Sequence, residues 1–132
     1  MKQTVKAQRV GFIGFGEVGK TFASTMVEQG AEVSYYDVIR NEALPNVAYR
    51  PLDELIERCE ILLSTVATHV AVSVASTAAP FLSARNTYAD MNSTSASVKR
   101  RIAAIINASS ANFVEGAILS AVGEAGARAS IL

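Results

Sequence analysis

The 132-residue sequence has few of the residues on which several classes of protein depend. It contains one cysteine, Cys59, and one histidine, His69, so an internal disulfide is excluded and no Cys/His cluster suggests a metal site. The histidine could in principle activate the thiol as a nucleophile. Because a free cysteine is more often a small inert hydrophobic side chain, we expect Cys59 to be packed.

The sequence also lacks an excess of charge of either sign. Twelve basic residues balance twelve acidic ones, which offers no electrostatic footprint for nucleic acid or an anionic membrane. No apolar run is long enough for a signal peptide or for a membrane-spanning helix. We therefore predict a soluble cytoplasmic protein without a nucleic-acid or membrane partner. Because half of the residues are hydrophobic, the chain can bury a substantial core.

Short apolar runs alternate with longer segments of helical periodicity. The predicted strands are 9–14, 32–37, 46–49, 61–66, 86–91 and 112–119, and the predicted helices are 17–29, 51–58, 70–79 and a segment from Ser95 or Ser97 to about residue 107. Such alternation is typical of parallel βαβ units. It predicts a doubly wound α/β fold of the Rossmann type, a mainly parallel sheet with helices on both faces.

The pattern fits one domain, residues 8–132. Residues 122–132 contain two glycines and end in an apolar pair, like a turn followed by the beginning of a strand. We therefore expect the domain to be truncated before its final strands.

The most informative motif is Gly14-Phe15-Gly16-Glu17-Val18-Gly19. It follows a predicted strand and opens a predicted helix, which is the context that a dinucleotide-binding glycine motif requires. Gly14 would make the tight turn, Gly16 would let a pyrophosphate approach the backbone, and Gly19 would let helix and strand pack closely. The positive end of the helix dipole, about half an elementary charge, would face the phosphates.

An acidic residue, Asp37, ends the next predicted strand, 18 residues after Gly19. A carboxylate at this point binds the hydroxyls of the adenosine ribose and repels a 2′-phosphate, so we predict NAD as the cofactor. Arg40 keeps NADP open as the alternative, because a guanidinium can pair with that phosphate.

Two further polar residues have less specific interpretations. His69 follows the fourth predicted strand, and we expect a loop or helix-cap residue more than a cofactor contact. Lys99, beside Arg100 and Arg101, is expected on a solvated helix face.

Three segments in order resemble the β-hydroxyacid dehydrogenases, which include 6-phosphogluconate and 3-hydroxyisobutyrate dehydrogenases. They are the run from Val10 to Gly19, the segment Asp90-Met91-Asn92-Ser93-Thr94-Ser95, and Phe113-Val114-Glu115-Gly116-Ala117. The resemblance covers residues 9–132. It implies that Gly14 to Gly19 and Asp37 bind the dinucleotide and that Val66 and Ala67 flank its riboses. It places Asn92, Ser93 and Thr94 beside the nicotinamide, although such a turn also caps the following helix.

The resemblance implies an oxidoreductase acting on a small hydroxy acid or a related carbonyl compound. Two departures limit it. The family's substrate loop carries a serine followed by two glycines, whereas this chain has Leu119-Ser120-Ala121, in which Ser120 is the candidate substrate ligand. The family's catalytic lysine and its helical, dimer-forming domain would lie beyond Leu132, so we expect no catalytic residue here and little turnover. The alternatives are an NADP-dependent imine or ketone reductase and a non-catalytic nucleotide-binding regulatory module.

Overall fold

The computed structural model describes residues 7–39 and 44–116. The strands of this part are β1 (Arg9–Ile13), β2 (Glu32–Tyr36), β3 (Val47–Tyr49), β4 (Ile61–Ser64), β5 (Thr87–Asp90) and β6 (Asn112–Glu115). The α-helices are α1 (Glu17–Glu28), α2 (Leu52–Arg58), α3 (Ala71–Ala78) and α4 (Ala96–Asn107). Short 3-10 turns, Thr68–Val70 and Ala79–Phe81, flank α3.

The strands form one sheet in the order β3-β2-β1-β4-β5-β6, and every neighbouring pair is parallel. The strand order reverses at β1, which pairs with β2 on one side and β4 on the other. The predicted Rossmann-type fold is therefore confirmed. In such a sheet, ligands bind outside the carboxyl ends of the strands at the point where the order reverses.

Two hydrophobic clusters cover the two faces of the sheet. One surrounds Phe12 and Tyr35 and includes the buried face of α1. The other contains Leu62 and Tyr88 and joins the sheet to α2, α3 and α4. The adjacent Tyr35 and Tyr36 of β2 pack against opposite clusters, Tyr36 being partly buried, because helices cover both faces of the sheet.

Several strands are shorter than the sequence predicts. β2 ends at Tyr36 and leaves Asp37 in the following turn, and β4 ends at Ser64 with alternate residues only half-buried. The part of the sixth predicted strand beyond residue 116 lies outside the described residues. None of the helices in the described ranges combines the length and the apolar character needed to cross a membrane.

Candidate dinucleotide-binding site

A cleft of about 520 Å³ opens at the carboxyl ends of β1, β2 and β4, where the strand order reverses. Its walls come from the glycine turn, from the start of the turn after β2, and from the segment that joins β4 to α3. The lining residues are Ile13, Gly14, Phe15, Gly16, Tyr36, Asp37, Val38, Leu52, Thr65, Val66, Ala67, Val70, Ser73, Val74 and Thr77.

Gly14 makes the tight turn from β1 toward α1. Its φ of +90° is one that L side chains rarely adopt, and a Cβ would stand 2.5 Å from the Thr65 carbonyl oxygen. The turn is held on both sides, because the Gly14 N–H donates to the Tyr36 carbonyl oxygen and the Thr65 hydroxyl donates to the Gly14 carbonyl oxygen, each at 2.8 Å. Glycine is therefore required here by the fold itself.

Gly16 and Gly19 differ in their surroundings. Gly16 is the N-cap of α1, has no side chain to cap the helix, and would present an added Cβ to open space. Gly19 is packed, since a Cβ there would lie 3.1 Å from the Gly14 carbonyl oxygen and from Phe15. The first turn of a helix carries N–H groups without intrahelical partners, and at Gly16 the space above them is free for an anionic group.

Asp37 lies directly beside the glycine turn that leads into α1. Its Oδ2 accepts a hydrogen bond from the Phe15 N–H at 2.8 Å, and its Oδ1 accepts one from the Ile39 N–H at 3.3 Å. The Phe15 ring is buried and stacks on Tyr35 with the ring centroids 4.2 Å apart, which fixes the donor. An ionised carboxylate has about four acceptor positions, so Asp37 keeps capacity for two ribose hydroxyls.

Of the other predicted cofactor residues, Val66 and Ala67 line the cleft, whereas Glu17 and Val18 do not. Glu17 is exposed on the first turn of α1. The apolar wall formed by Val38, Leu52, Val70 and Val74 was not anticipated. In sequence these residues belong to three separate segments, and only Val38 lies within two residues of the end of a strand, so no local pattern indicated this wall.

The segment after β5 lies apart from this cleft. Asn92 is only 5% exposed, and its Oδ1 accepts a hydrogen bond from the Val66 N–H at 2.9 Å. Its amide donates to Ser64 Oγ at 3.2 Å and to Asp90 Oδ1 at 2.6 Å. The side chain that we predict beside the nicotinamide thus holds the ends of β4 and β5 together.

The remaining residues of this turn have mixed surroundings. Ser93 is exposed, and the buried Thr94 Oγ1 finds no hydrogen-bond partner in the described part of the chain. Ser95 is the N-cap of α4 and accepts from the Val98 N–H at 3.3 Å, which decides between the two predicted cap serines, Ser95 and Ser97.

The prediction that Lys99 is solvated is wrong. Lys99 is 7% exposed and forms an ion pair with the fully buried Asp90. Lys99 lies on the same face of α4 as Ile102 and Ile106, three and seven residues later, and both are completely buried. The spacing of Lys99 from Ile102 and Ile106 could have indicated that Lys99 is buried. The adjacent Arg100, which is exposed, made the segment look like a charged surface.

The single cysteine and the single histidine both lie outside the cleft lining. Burial raises the pKa of the Cys59 thiol to about 11, so the expected packed thiol is confirmed. His69 is exposed on the 3-10 turn before α3 and does not line the cleft. Within residues 7–39 and 44–116 no cluster of three or more metal-ligating side chains exists. Arg40 and Ser120 lie outside these ranges.

The sequence matches the family described as D-isomer specific 2-hydroxyacid dehydrogenase, NAD binding domain, over residues 1–129. The chain belongs to this family. The match identifies the chain as an NAD(P)-binding domain of the hydroxyacid-dehydrogenase type, as the sequence motifs predict. No curated protein matches the sequence.

Three solved structures share this fold. A conserved hypothetical protein from Sinorhizobium meliloti 1021 is 26% identical with a TM-score of 0.85, over 96% of this chain and 46% of that one. A conserved protein of unknown function, described as structurally similar to 3-hydroxyacid dehydrogenases, is 30% identical with a TM-score of 0.79, over 93% and 48%. A reductive aminase from Aspergillus terreus in complex with NADPH4, cyclohexanone and allyl amine is 17% identical with a TM-score of 0.78, over 96% and 47%, which shows the fold alone. The chain spans about half the length of these structures.

Proposed function

We propose that this chain binds NAD(H) in the cleft between the glycine turn and Asp37. The observation that carries the proposal is the pairing of two features in one cleft. The open position at Gly16 above the first turn of α1 suits a pyrophosphate, and the anchored Asp37 carboxylate suits an adenosine ribose. The apolar residues Leu52, Val70 and Val74 complete the wall against which a planar base can pack.

The surroundings of Asp37 favour NAD over NADP. The carboxylate would repel a 2′-phosphate, and the two residues after it, Val38 and Ile39, are exposed and apolar. None of the described residues that line the cleft is basic. The support for NADP is Arg40, three residues beyond Asp37 in sequence.

We propose that the whole protein is an oxidoreductase that transfers a hydride between the nicotinamide and a small hydroxy acid or related carbonyl compound. The cofactor supplies the redox chemistry, while residues of this chain bind and orient it. The family's lysine, expected beyond Leu132, would move the proton, so residues 1–132 alone would bind cofactor with little turnover. A homodimer, a cytoplasmic location, a substrate role for Ser120 and a likeness to 6-phosphogluconate dehydrogenases remain predictions.

Calorimetric titration with NADH and NADPH tests the proposal and its cofactor preference. We expect the protein to bind NADH more tightly than NADPH. Asp37→Ala removes two ribose hydrogen bonds and should weaken NADH binding about tenfold or more, since bonds to charged groups are worth about 1.5–3 kcal/mol. NADPH binding should not weaken to the same degree, because the repulsion of its phosphate is also removed.

The matched control is Glu57→Ala, which removes an exposed carboxylate on α2 away from the cleft and should leave both affinities unchanged. Unchanged NADH affinity in Asp37→Ala would disprove the role of that carboxylate. Failure of the unmodified protein to bind either dinucleotide would disprove the proposed function.

A further inference from the structure

A chain of buried hydrogen bonds joins the carboxyl ends of β4, β5 and β6. It begins at Lys99, whose Nζ donates to the Gly116 carbonyl oxygen after β6 at 2.7 Å. The same ammonium donates to the Asp90 carbonyl oxygen at 3.0 Å and to Asp90 Oδ2 at 2.5 Å. Lys99 on α4 thus holds two adjacent strand ends together.

The second half of the chain runs from Asp90 to the cleft. The other carboxylate oxygen, Asp90 Oδ1, accepts from Asn92, and the Asn92 side chain in turn accepts from the Val66 N–H. Val66 lines the cleft directly after β4. A continuous path of hydrogen bonds therefore leads from Gly116 through Lys99, Asp90 and Asn92 to a wall of the cleft.

The bonding of the ammonium determines what Lys99 can do. An ammonium group has three N–H donors, and Lys99 uses three hydrogen bonds to two carbonyl oxygens and one carboxylate oxygen. No donor is left for a substrate or for a proton relay. Lys99 is therefore suited to fix geometry and not to exchange protons.

The adenosine side of the cleft is held by a separate set of bonds. The glycine turn is tied to Tyr36 and Thr65, and the carboxylate of Asp37 is tied to Phe15 and Ile39. None of these bonds involves Lys99, Asp90 or Asn92. The two sets share no hydrogen bond, and they come together where Thr65 is followed by Val66.

We propose that Lys99 is a positioning residue for the nicotinamide half of the bound dinucleotide. By holding Asp90 and Gly116, it sets the ends of β4, β5 and β6, and through Asn92 it sets Val66 and the turn that follows β5. This inference rests on the proposed function, because it assigns the nicotinamide to the part of the site nearest these strand ends. Beyond the proposed function, it states that different residues hold the nicotinamide part and the adenosine part of the site.

Two ligands test this separation in the full chain, NADH and ADP-ribose, which lacks the nicotinamide. Lys99→Met keeps the length of the side chain and removes all three hydrogen bonds. We expect its dissociation constant for NADH to rise about tenfold, on the scale of one lost charge-assisted hydrogen bond, while that for ADP-ribose stays within about threefold. Arg100→Met is the matched control, since it removes the same charge from an exposed position on the same helix and should change neither constant.

A second variant distinguishes the loss of positioning from the effect of the unpaired Asp90 carboxylate in Lys99→Met. Lys99→Met combined with Asp90→Asn removes both charges, which avoids an unpaired buried carboxylate. Because the tie to Gly116 is still missing, we expect the same selective loss of NADH affinity. Recovery of full NADH affinity in this double variant would contradict positioning and assign the effect to the charge.

The remaining outcomes are also decisive. A lower unfolding temperature with unchanged NADH affinity would reduce Lys99 to a structural residue and overturn the inference. Equal losses for NADH and ADP-ribose would overturn it as well, because the halves would then not be independent. If the unmodified protein bound neither ligand, the proposed function would fail first and this inference with it.

Discussion

At the scale of single residues, each of the three positions in the motif has a different physical reason to be glycine. Gly14 adopts a φ that only glycine tolerates well and has no room for a Cβ, and Gly19 lies against the Gly14 carbonyl oxygen. Gly16 meets neither limit, since a Cβ there contacts nothing within 4 Å. Within the described part of the chain, the absence of a side chain at Gly16 has no packing cause, which is what we expect if a ligand approaches the backbone there.

This difference gives a prediction that separates binding from stability. Gly16→Ala should lose most NADH affinity, because the methyl group occupies the space of the pyrophosphate, while the free energy of unfolding changes by less than about 1 kcal/mol. Gly30→Ala is the counterpart, with a φ of +91° and an open Cβ position far from the cleft. It should lose about 1–2 kcal/mol of stability from backbone strain and retain its affinity. Urea denaturation and calorimetry measure the two quantities, and a Gly16→Ala protein with normal affinity would contradict the pyrophosphate assignment.

At the scale of elements, two features of α4 depend on each other: the cap at its N-terminus and the side chains on its buried face. Its N-terminus is capped by Ser95, and its buried face carries Lys99 ahead of Ile102 and Ile106. The cap fixes where the helix starts, and the start fixes which side chains face the sheet. Lys99 reaches Asp90 and Gly116 because of that register.

The cap can be tested with two neighbouring serines. Ser95→Ala removes the acceptor for the Val98 N–H and should lower the free energy of unfolding by about 1 kcal/mol. Ser97→Ala removes a hydroxyl that contacts Ser95 Oγ at 3.2 Å, leaves the cap in place, and should change stability by less than about 0.5 kcal/mol. Equal effects in denaturant unfolding would show that the Ser95 cap is not what stabilises the start of α4.

At the scale of the whole molecule, the cluster between the sheet and helices α2, α3 and α4 contains two ionisable side chains, Cys59 and Tyr88, that burial keeps protonated. Burial raises the pKa of Cys59 from 9.0 to about 11 and that of Tyr88 from 10.0 to about 12, with Ser64 opposing the shift at Tyr88. Both groups are therefore neutral in the folded protein over a pH range in which the unfolded chain would ionise them.

The sign of the resulting pH dependence follows from these directions. Because both pKa values are higher in the folded state, their contribution to stability is complete below about pH 9 and is lost as pH rises toward 11 and 12. The urea midpoint should fall between pH 8 and pH 10.5. Cys59→Ala should be less stable at pH 8 because of the cavity it leaves, and its midpoint should fall less over the same interval. A midpoint that falls equally in both proteins would show that Cys59 is not the group responsible.

Much of the molecule follows from local patterns in the sequence. Buried parallel strands are continuous apolar runs and helices show their own period, so the alternation of elements and the fold class were predictable. The glycine motif and Asp37 were predictable for the same reason, because their spacing along the chain follows from one βαβ unit.

The sequence alone determined which elements form and that a glycine turn opens α1. Only the tertiary structure decided that Lys99 is buried with Asp90, that Asn92 holds Val66, and which apolar residues make the wall of the cleft. The physical reason is distance along the chain: these contacts join residues of different strands and helices, and no local period specifies which strand ends become neighbours until the sheet is assembled.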